Sequence, residues 1–153
     1  MLFKSDGQRD QVLARLSLIS LYILLAFNFV IIVIGYFLSQ RHLLSDIGNP
    51  LVRKVFFAVV LAEMIAIYLV RSMMLKRLFR FHIDKDSIDD RIFYRNLLNI
   101  TITVAAMCSA ISTYGLILVV LGEKFEILVL FAAISLIGYQ FFRLRPKDFE
   151  EKL

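Results

Sequence analysis

The sequence contains one cysteine and two histidines, and this scarcity excludes several classes of protein. A single thiol, Cys108, cannot form an intramolecular disulfide and lacks the second thiol of a dithiol redox enzyme. His42 and His82 belong in or beside loops at opposite ends of the predicted helices, so they cannot together bind a haem or a metal ion. The sequence also has no glycine-rich phosphate loop and no plausible Ser-His-Asp set. We therefore predict a protein that is not an enzyme and that binds no cofactor.

Four long stretches consist mainly of apolar residues, which predicts an integral membrane protein. Hydrophobic residues make up 59% of the 153 residues and the mean hydropathy is +0.75, too apolar for a soluble domain of this size. The stretches cover about 12–38, 52–75, 95–121 and 125–143, each near the length that a helix needs to cross hydrocarbon. We expect an all-α fold in which residues 1–153 form one domain, a four-transmembrane-helix bundle built from two antiparallel hairpins.

The distribution of charge predicts the orientation of the bundle. Most of the eighteen Lys and Arg residues precede the first span, follow the fourth, or lie in the linker at about 76–94. The exceptions are Arg41, Arg53, Lys54 and Lys124. The positive-inside rule therefore places both termini and the linker in the cytoplasm, in a multi-pass protein of the cytoplasmic (inner) membrane. The net charge of +5 suits anionic lipid headgroups and needs no nucleic acid.

Two local signals predict helix ends. Asn49 and Pro50 are typical of an N-cap followed by proline at the first helical position, so we expect the second helix to begin there. Ser87 is a candidate N-cap for the third helix, and Gly122 can end that helix. The short connection through Glu123 and Lys124 then forces the third and fourth helices into an antiparallel hairpin.

Glu63 is the most informative residue, because it lies alone among apolar residues from Val55 to Val70. Its position between Lys54 and Arg71 puts it near the bilayer midplane, where a charged side chain costs roughly 3 kcal/mol. Such a residue is by default a candidate functional site. The alternative is a protonated glutamate whose hydrogen bond joins two helices. The sequence alone leaves both interpretations open.

The other spans also have polar residues near their midpoints. The charges that flank each span place Asn28, Ser109 and a position beside Ser135 at the depth of Glu63. We therefore predict a hydrogen-bonding layer at the bilayer centre in which Asn28 and Ser109 are the natural partners of Glu63. If Glu63 binds a proton or cation, Asn28, Ser109 and Ser112 would complete the site.

Small residues repeat every four positions on two helices, which favours close helix packing. Ala58, Ala62 and Ala66 form one such stripe on the second helix. A similar stripe on the third helix consists of Ala105, Ser109 and Thr113.

Two stretches and the overall layout carry resemblances to known families. Residues 62–68, Ala-Glu-Met-Ile-Ala-Ile-Tyr, and 112–116, Ser-Thr-Tyr-Gly-Leu, resemble the carboxylate-bearing helix of rotary ATPase proteolipid subunits, which implies a proton-carrying Glu63. The glycine-repeat helix of those subunits has no counterpart here. Two hairpins joined by a basic loop are similar to the small assembly protein of bacterial ATP synthases. Small multidrug transporters also have four helices and an intramembrane glutamate. Their glutamate is on the first helix, whereas Glu63 is on the second. The sequence is assigned to none of these families.

These observations predict a non-catalytic membrane subunit or an assembly factor of a larger membrane complex. Small-residue stripes suit helix association, and there is no soluble domain. Its partners would be the lipid bilayer and either other membrane subunits or further copies of itself. The alternative is an oligomeric proton- or cation-coupled channel or carrier that uses Glu63.

Overall fold

A computed structural model describes residues 6–41, 50–83 and 90–144, which form four helices. These are α1 (Asp6–Arg41), α2 (Pro50–Ile83), α3 (Asp90–Val120) and α4 (Phe125–Phe142). Each contains a stretch that is long and apolar enough to cross a membrane, at Ala14–Gln40, Pro50–Leu78, Tyr94–Val120 and Phe125–Phe142. The prediction of an all-helical chain with four potential spans is therefore confirmed for the described residues.

The helix ends follow the local signals where the structure describes them. α2 begins at Pro50, whose missing N–H is tolerated in a first helical turn. After α3, Gly122 has φ 91°, and the Glu123 N–H donates to the Leu118 carbonyl at 2.9 Å. The Gly122 N–H donates to the Val119 carbonyl at 3.0 Å, which completes a Schellman motif. The predicted caps at Asn49 and Ser87 lie outside the described residues.

α3 is the central helix, and it packs against each of the other three. It packs most extensively on α4, as expected for helices joined by a short turn. α1 also packs on α4, and α2 makes a smaller contact with α4. Among the described residues, the α1 and α2 backbones do not approach each other. The predicted hairpin of the first two helices is therefore not a packing unit, because α3 and α4 lie between them.

The chain crosses the bundle in alternating directions. One apolar cluster contains Leu16 from the start of α1, Leu75 from the end of α2, Leu97 from the start of α3 and Leu144 just after α4. These four helix ends therefore meet at one end of the bundle, which we call the basic end. Basic residues near it include Arg15, Lys76, Arg77, Arg95 and Arg143, whereas Arg53, Lys54 and Lys124 lie at the opposite end.

Burial differs strongly between the helices. α3 contributes a continuous buried stripe that includes Val104, Cys108 and Ile111, whereas α2 buries little more than Val60, Ile67, Leu75 and Leu78. Large apolar side chains cover the outside of the bundle, for example Tyr22, Leu61 and Phe141 at 67–69% exposed. A soluble monomer rarely exposes so much contiguous apolar surface, whereas lipid tails cover it readily.

Candidate functional site: the polar centre of the bundle

Glu63 contacts α3 through Tyr114. A hydrogen bond joins the Tyr114 hydroxyl to the Glu63 carboxyl group, and Glu63 itself is half-buried. Its second oxygen, Oε2, is inaccessible and has no hydrogen-bond partner among the described residues. The carboxyl group therefore points toward the bundle, and its Oε2 is buried without a partner among the described residues.

Asn28 forms a second polar contact, which links α1 to α3. The Ser112 hydroxyl donates a hydrogen bond to Asn28 Oδ1, and both side chains are buried. The Asn28 amide nitrogen, Nδ2, has no partner among the described residues. A buried polar atom that is left unpaired costs free energy, so this contact is incomplete.

The two remaining polar residues at this depth behave differently from each other. The Ser109 hydroxyl donates to the Ala106 carbonyl of its own helix at 2.7 Å. Ser135 of α4 is fully buried, and its hydroxyl has no partner among the described residues. Neither Asn28 nor Ser109 bonds to Glu63, so the described structure does not assemble the predicted shell around this carboxylate.

The reason lies in the angular positions on α3. Ser112 and Tyr114 are two residues apart, which places their side chains roughly 200° apart around the helix. Ser112 therefore faces α1, and Tyr114 faces α2. The flanking charges predict the depth of each polar residue but give no information about which neighbour it faces.

The predicted packing residues divide between the inside and the outside of the bundle. Ala105 is buried in the core, and the Thr113 hydroxyl donates to the Ser109 carbonyl at 3.3 Å. Ala58 and Ala62 are exposed, and Ala66 is half-buried. Ala58 and Ala62 lie two residues either side of buried Val60, which places each roughly 160° from it around α2. Ala58 and Ala62 therefore face away from the rest of this chain, whereas Ala66 lies at the edge of that outward face.

Sequence reasoning missed two tyrosines that supply hydrogen bonds inside the membrane. Tyr114 is the partner of Glu63, and Tyr139 of α4 hydrogen bonds to Ser20 of α1 and donates to the Ser17 carbonyl at 3.2 Å. A buried tyrosine needs a partner for its hydroxyl, and both tyrosines lie inside predicted spans. Pairing each tyrosine with a polar residue at equal depth would have signalled these contacts.

The chemistry available at the polar centre is limited. Within the described ranges, no group of three His, Cys, Asp or Glu residues could hold a metal ion. Cys108 is a free, fully buried thiol. The described residues thus offer one carboxyl group, an amide, several hydroxyls and a thiol, which suits helix association or the binding of a single proton or cation.

Comparison with known proteins finds no matching family model, no matching curated protein and no matching solved structure.

Proposed function

We propose that this protein is a non-catalytic membrane subunit or assembly factor that associates with another membrane protein through the outward face of α2. The observation that carries the proposal is the position of the alanine stripe. Ala58 and Ala62 are exposed and lie opposite the buried side of their helix.

Small outward residues matter in a membrane because lipid tails are as apolar as leucine side chains. Helices therefore associate there through close packing and hydrogen bonds rather than through a hydrophobic driving force. A stripe of alanines lets a partner helix approach the α2 backbone closely. α2 is also the least buried of the four helices, so most of its surface is free to contact a partner.

In this proposal, Glu63 has a structural role. Its hydrogen bond to Tyr114 holds α2 against α3, and a neutral carboxyl group can make that bond inside hydrocarbon. A glutamine at this position has the same shape and retains both donor and acceptor atoms. We therefore expect Glu63→Gln to fold and to associate as the wild type does.

The test is purification of the native protein in a gentle detergent, followed by mass spectrometry of every protein that accompanies it in stoichiometric amounts. We expect distinct, larger membrane proteins to accompany the wild type and Glu63→Gln. Ala62→Phe should lose them, whereas the matched control Ala133→Phe, at an exposed position on α4, should keep them. Purification of the wild type without any other protein would refute the proposal.

The second candidate is an oligomeric proton- or cation-coupled channel or carrier. The observation that favours it is the unpaired Glu63 Oε2, which lies inside the bundle near the middle of a span. Intramembrane carboxyl groups commonly belong to ion pathways. A carrier should purify as a homo-oligomer and lose transport in reconstituted vesicles when Glu63 is replaced by Gln, whereas an accessory subunit should do neither.

The proposed orientation places the basic end in the cytoplasm. This assignment follows from the positive-inside rule and the concentration of Lys and Arg at that end. Both termini would then lie on the cytoplasmic side of the inner membrane.

A further inference from the structure

An apolar groove runs between α1 and α3 and opens to the side of the bundle. Its volume is about 210 Å³, and its walls include Ile23 and Phe27 of α1 and Ile102 and Ala106 of α3. For comparison, an engineered protein cavity of about 150 Å³ is large enough to bind benzene. The groove can therefore hold part of a hydrocarbon chain.

The groove offers no free polar group to a ligand. Ser20 and Ser109 are its two polar wall residues, and both hydroxyls donate to carbonyls of their own helices, Ser20 to Leu16 at 2.8 Å and Ser109 to Ala106 at 2.7 Å. A polar ligand would leave its own donors and acceptors unpaired in this groove, which is costly. An acyl chain has none, so it matches the walls.

The depth of the groove fits the tail of a lipid that enters from the basic end. The α1 span begins at Ala14, and Ser20 and Phe27 follow it by six and thirteen residues, or roughly 9 and 20 Å of helix. The half-thickness of the hydrocarbon layer is about 15 Å. The groove therefore covers the depth occupied by the distal part of an acyl chain in the leaflet at the basic end.

Arg95 supplies a charge at the corresponding headgroup position. It is exposed and lies next to Tyr94, where the α3 span begins. Arg95 precedes Ile102 by one heptad, so the two residues lie within about 20° of each other around the helix. The backbone of Arg95 thus lies roughly 10 Å below that of Ile102 on the same side of α3, and guanidinium groups bind phosphate through paired hydrogen bonds.

We propose that this groove holds one acyl chain of an anionic phospholipid and that Arg95 binds the phosphate of the same molecule. The apolar walls select a hydrocarbon chain, and the positive charge of Arg95 selects a negative headgroup. A side chain of a partner helix could fill the apolar part, but it would leave Arg95 unmatched.

The test is native mass spectrometry of the full chain after exchange into a lipid-free detergent. Phosphatidylglycerol and phosphatidylcholine with identical acyl chains are then added at equal concentrations. We expect one phosphatidylglycerol to be retained per chain, with at least a fivefold preference over phosphatidylcholine. No retained lipid, or equal retention of the two lipids, would overturn the proposal.

Variants separate the two parts of the site. Ala106→Phe fills the groove from an exposed position and should reduce lipid retention at least tenfold, whereas Ala133→Phe on α4 should not. Arg95→Gln should remove the preference for phosphatidylglycerol, whereas Arg77→Gln, an exposed cation at the same end on α2, should preserve it. Wild-type retention in Ala106→Phe would place the lipid elsewhere and refute this site. Thermal unfolding of each variant establishes that it is folded before its lipid binding is compared.

Discussion

At the scale of single residues, Ser112 and Ser109 have the same side chain on the same helix but different bonding partners. Ser112 donates to Asn28 of α1, whereas Ser109 donates to a carbonyl within α3. Only the first bond connects two helices. Interhelical hydrogen bonds in membranes contribute about 0.6 kcal/mol on average and up to about 2 kcal/mol.

Replacement of the two serines by alanine should therefore give different results. We expect Ser112→Ala to lower the free energy of unfolding by about 1 kcal/mol, because it leaves Asn28 Oδ1 buried without a donor. Ser109→Ala is the matched control and should change the free energy of unfolding by less than about 0.5 kcal/mol. Reversible unfolding in mixed micelles measures both. Equal losses would contradict the assignment of the Asn28–Ser112 bond.

The contact between Glu63 and Tyr114 shows why the sequence predicts the depth of Glu63 in its span but not the residue that it contacts. The positions of Lys54 and Arg71 predict the depth of Glu63, because charged residues mark the ends of a span. The partner depends on rotation about each helix axis and on which helices are neighbours. Tertiary packing sets both, so the Tyr114 contact appears only in the structure.

At the scale of helices, the α3–α4 pair depends on close backbone contact at Gly115. A Cβ atom at Gly115 would lie 2.8 Å from the Phe131 Cβ and 3.1 Å from the Leu128 Cα. Neither atom can move without moving the α4 backbone. A Cβ at Gly138 would instead lie 3.2 Å from the flexible Met64 Sδ, which can shift.

These two glycines make a matched pair for mutation. We expect Gly115→Ala to destabilise the bundle by about 1 to 3 kcal/mol, because it separates α3 from α4. Gly138→Ala should be nearly neutral or slightly stabilising, since alanine is the better helix former. Unfolding in mixed micelles again provides the measurement. A neutral Gly115→Ala would show that the two helices are not in the observed contact.

The arrangement of the helices was only partly predictable from the sequence. The Gly122 turn fixes α3 beside α4, because a four-residue connection leaves no other position. No comparable constraint acts on α1 and α2, whose bundle positions depend on side-chain complementarity with α3 and α4. The sequence pattern of α2 also identified an alanine stripe without showing that it faces outward.

At the scale of the whole molecule, charge and exposure are both distributed unevenly. Most of the described basic residues near the helix ends lie at the basic end, and the most exposed helix is α2. The uneven distribution of charge supports one orientation of the bundle in the membrane. The high exposure of α2 supports an association surface on that helix.

The orientation can be tested with single cysteines in a Cys108→Ala background. Lys124→Cys should react with a membrane-impermeant maleimide when the outer face of the inner membrane is exposed. Lys76→Cys should react only after the membrane is permeabilised, because the positive-inside rule places it in the cytoplasm. The opposite labelling pattern would contradict the proposed orientation.

The most direct test of association through α2 is photo-crosslinking in native membranes. A genetically encoded photo-reactive residue is placed at Leu69, which is exposed and lies one heptad from Ala62, and at exposed Leu130 of α4 as the control. We predict a protein adduct of one defined, larger membrane partner from position 69, with little or none from position 130. Adducts formed only with a second copy of this chain, or the same partner captured equally from both positions, would contradict the account.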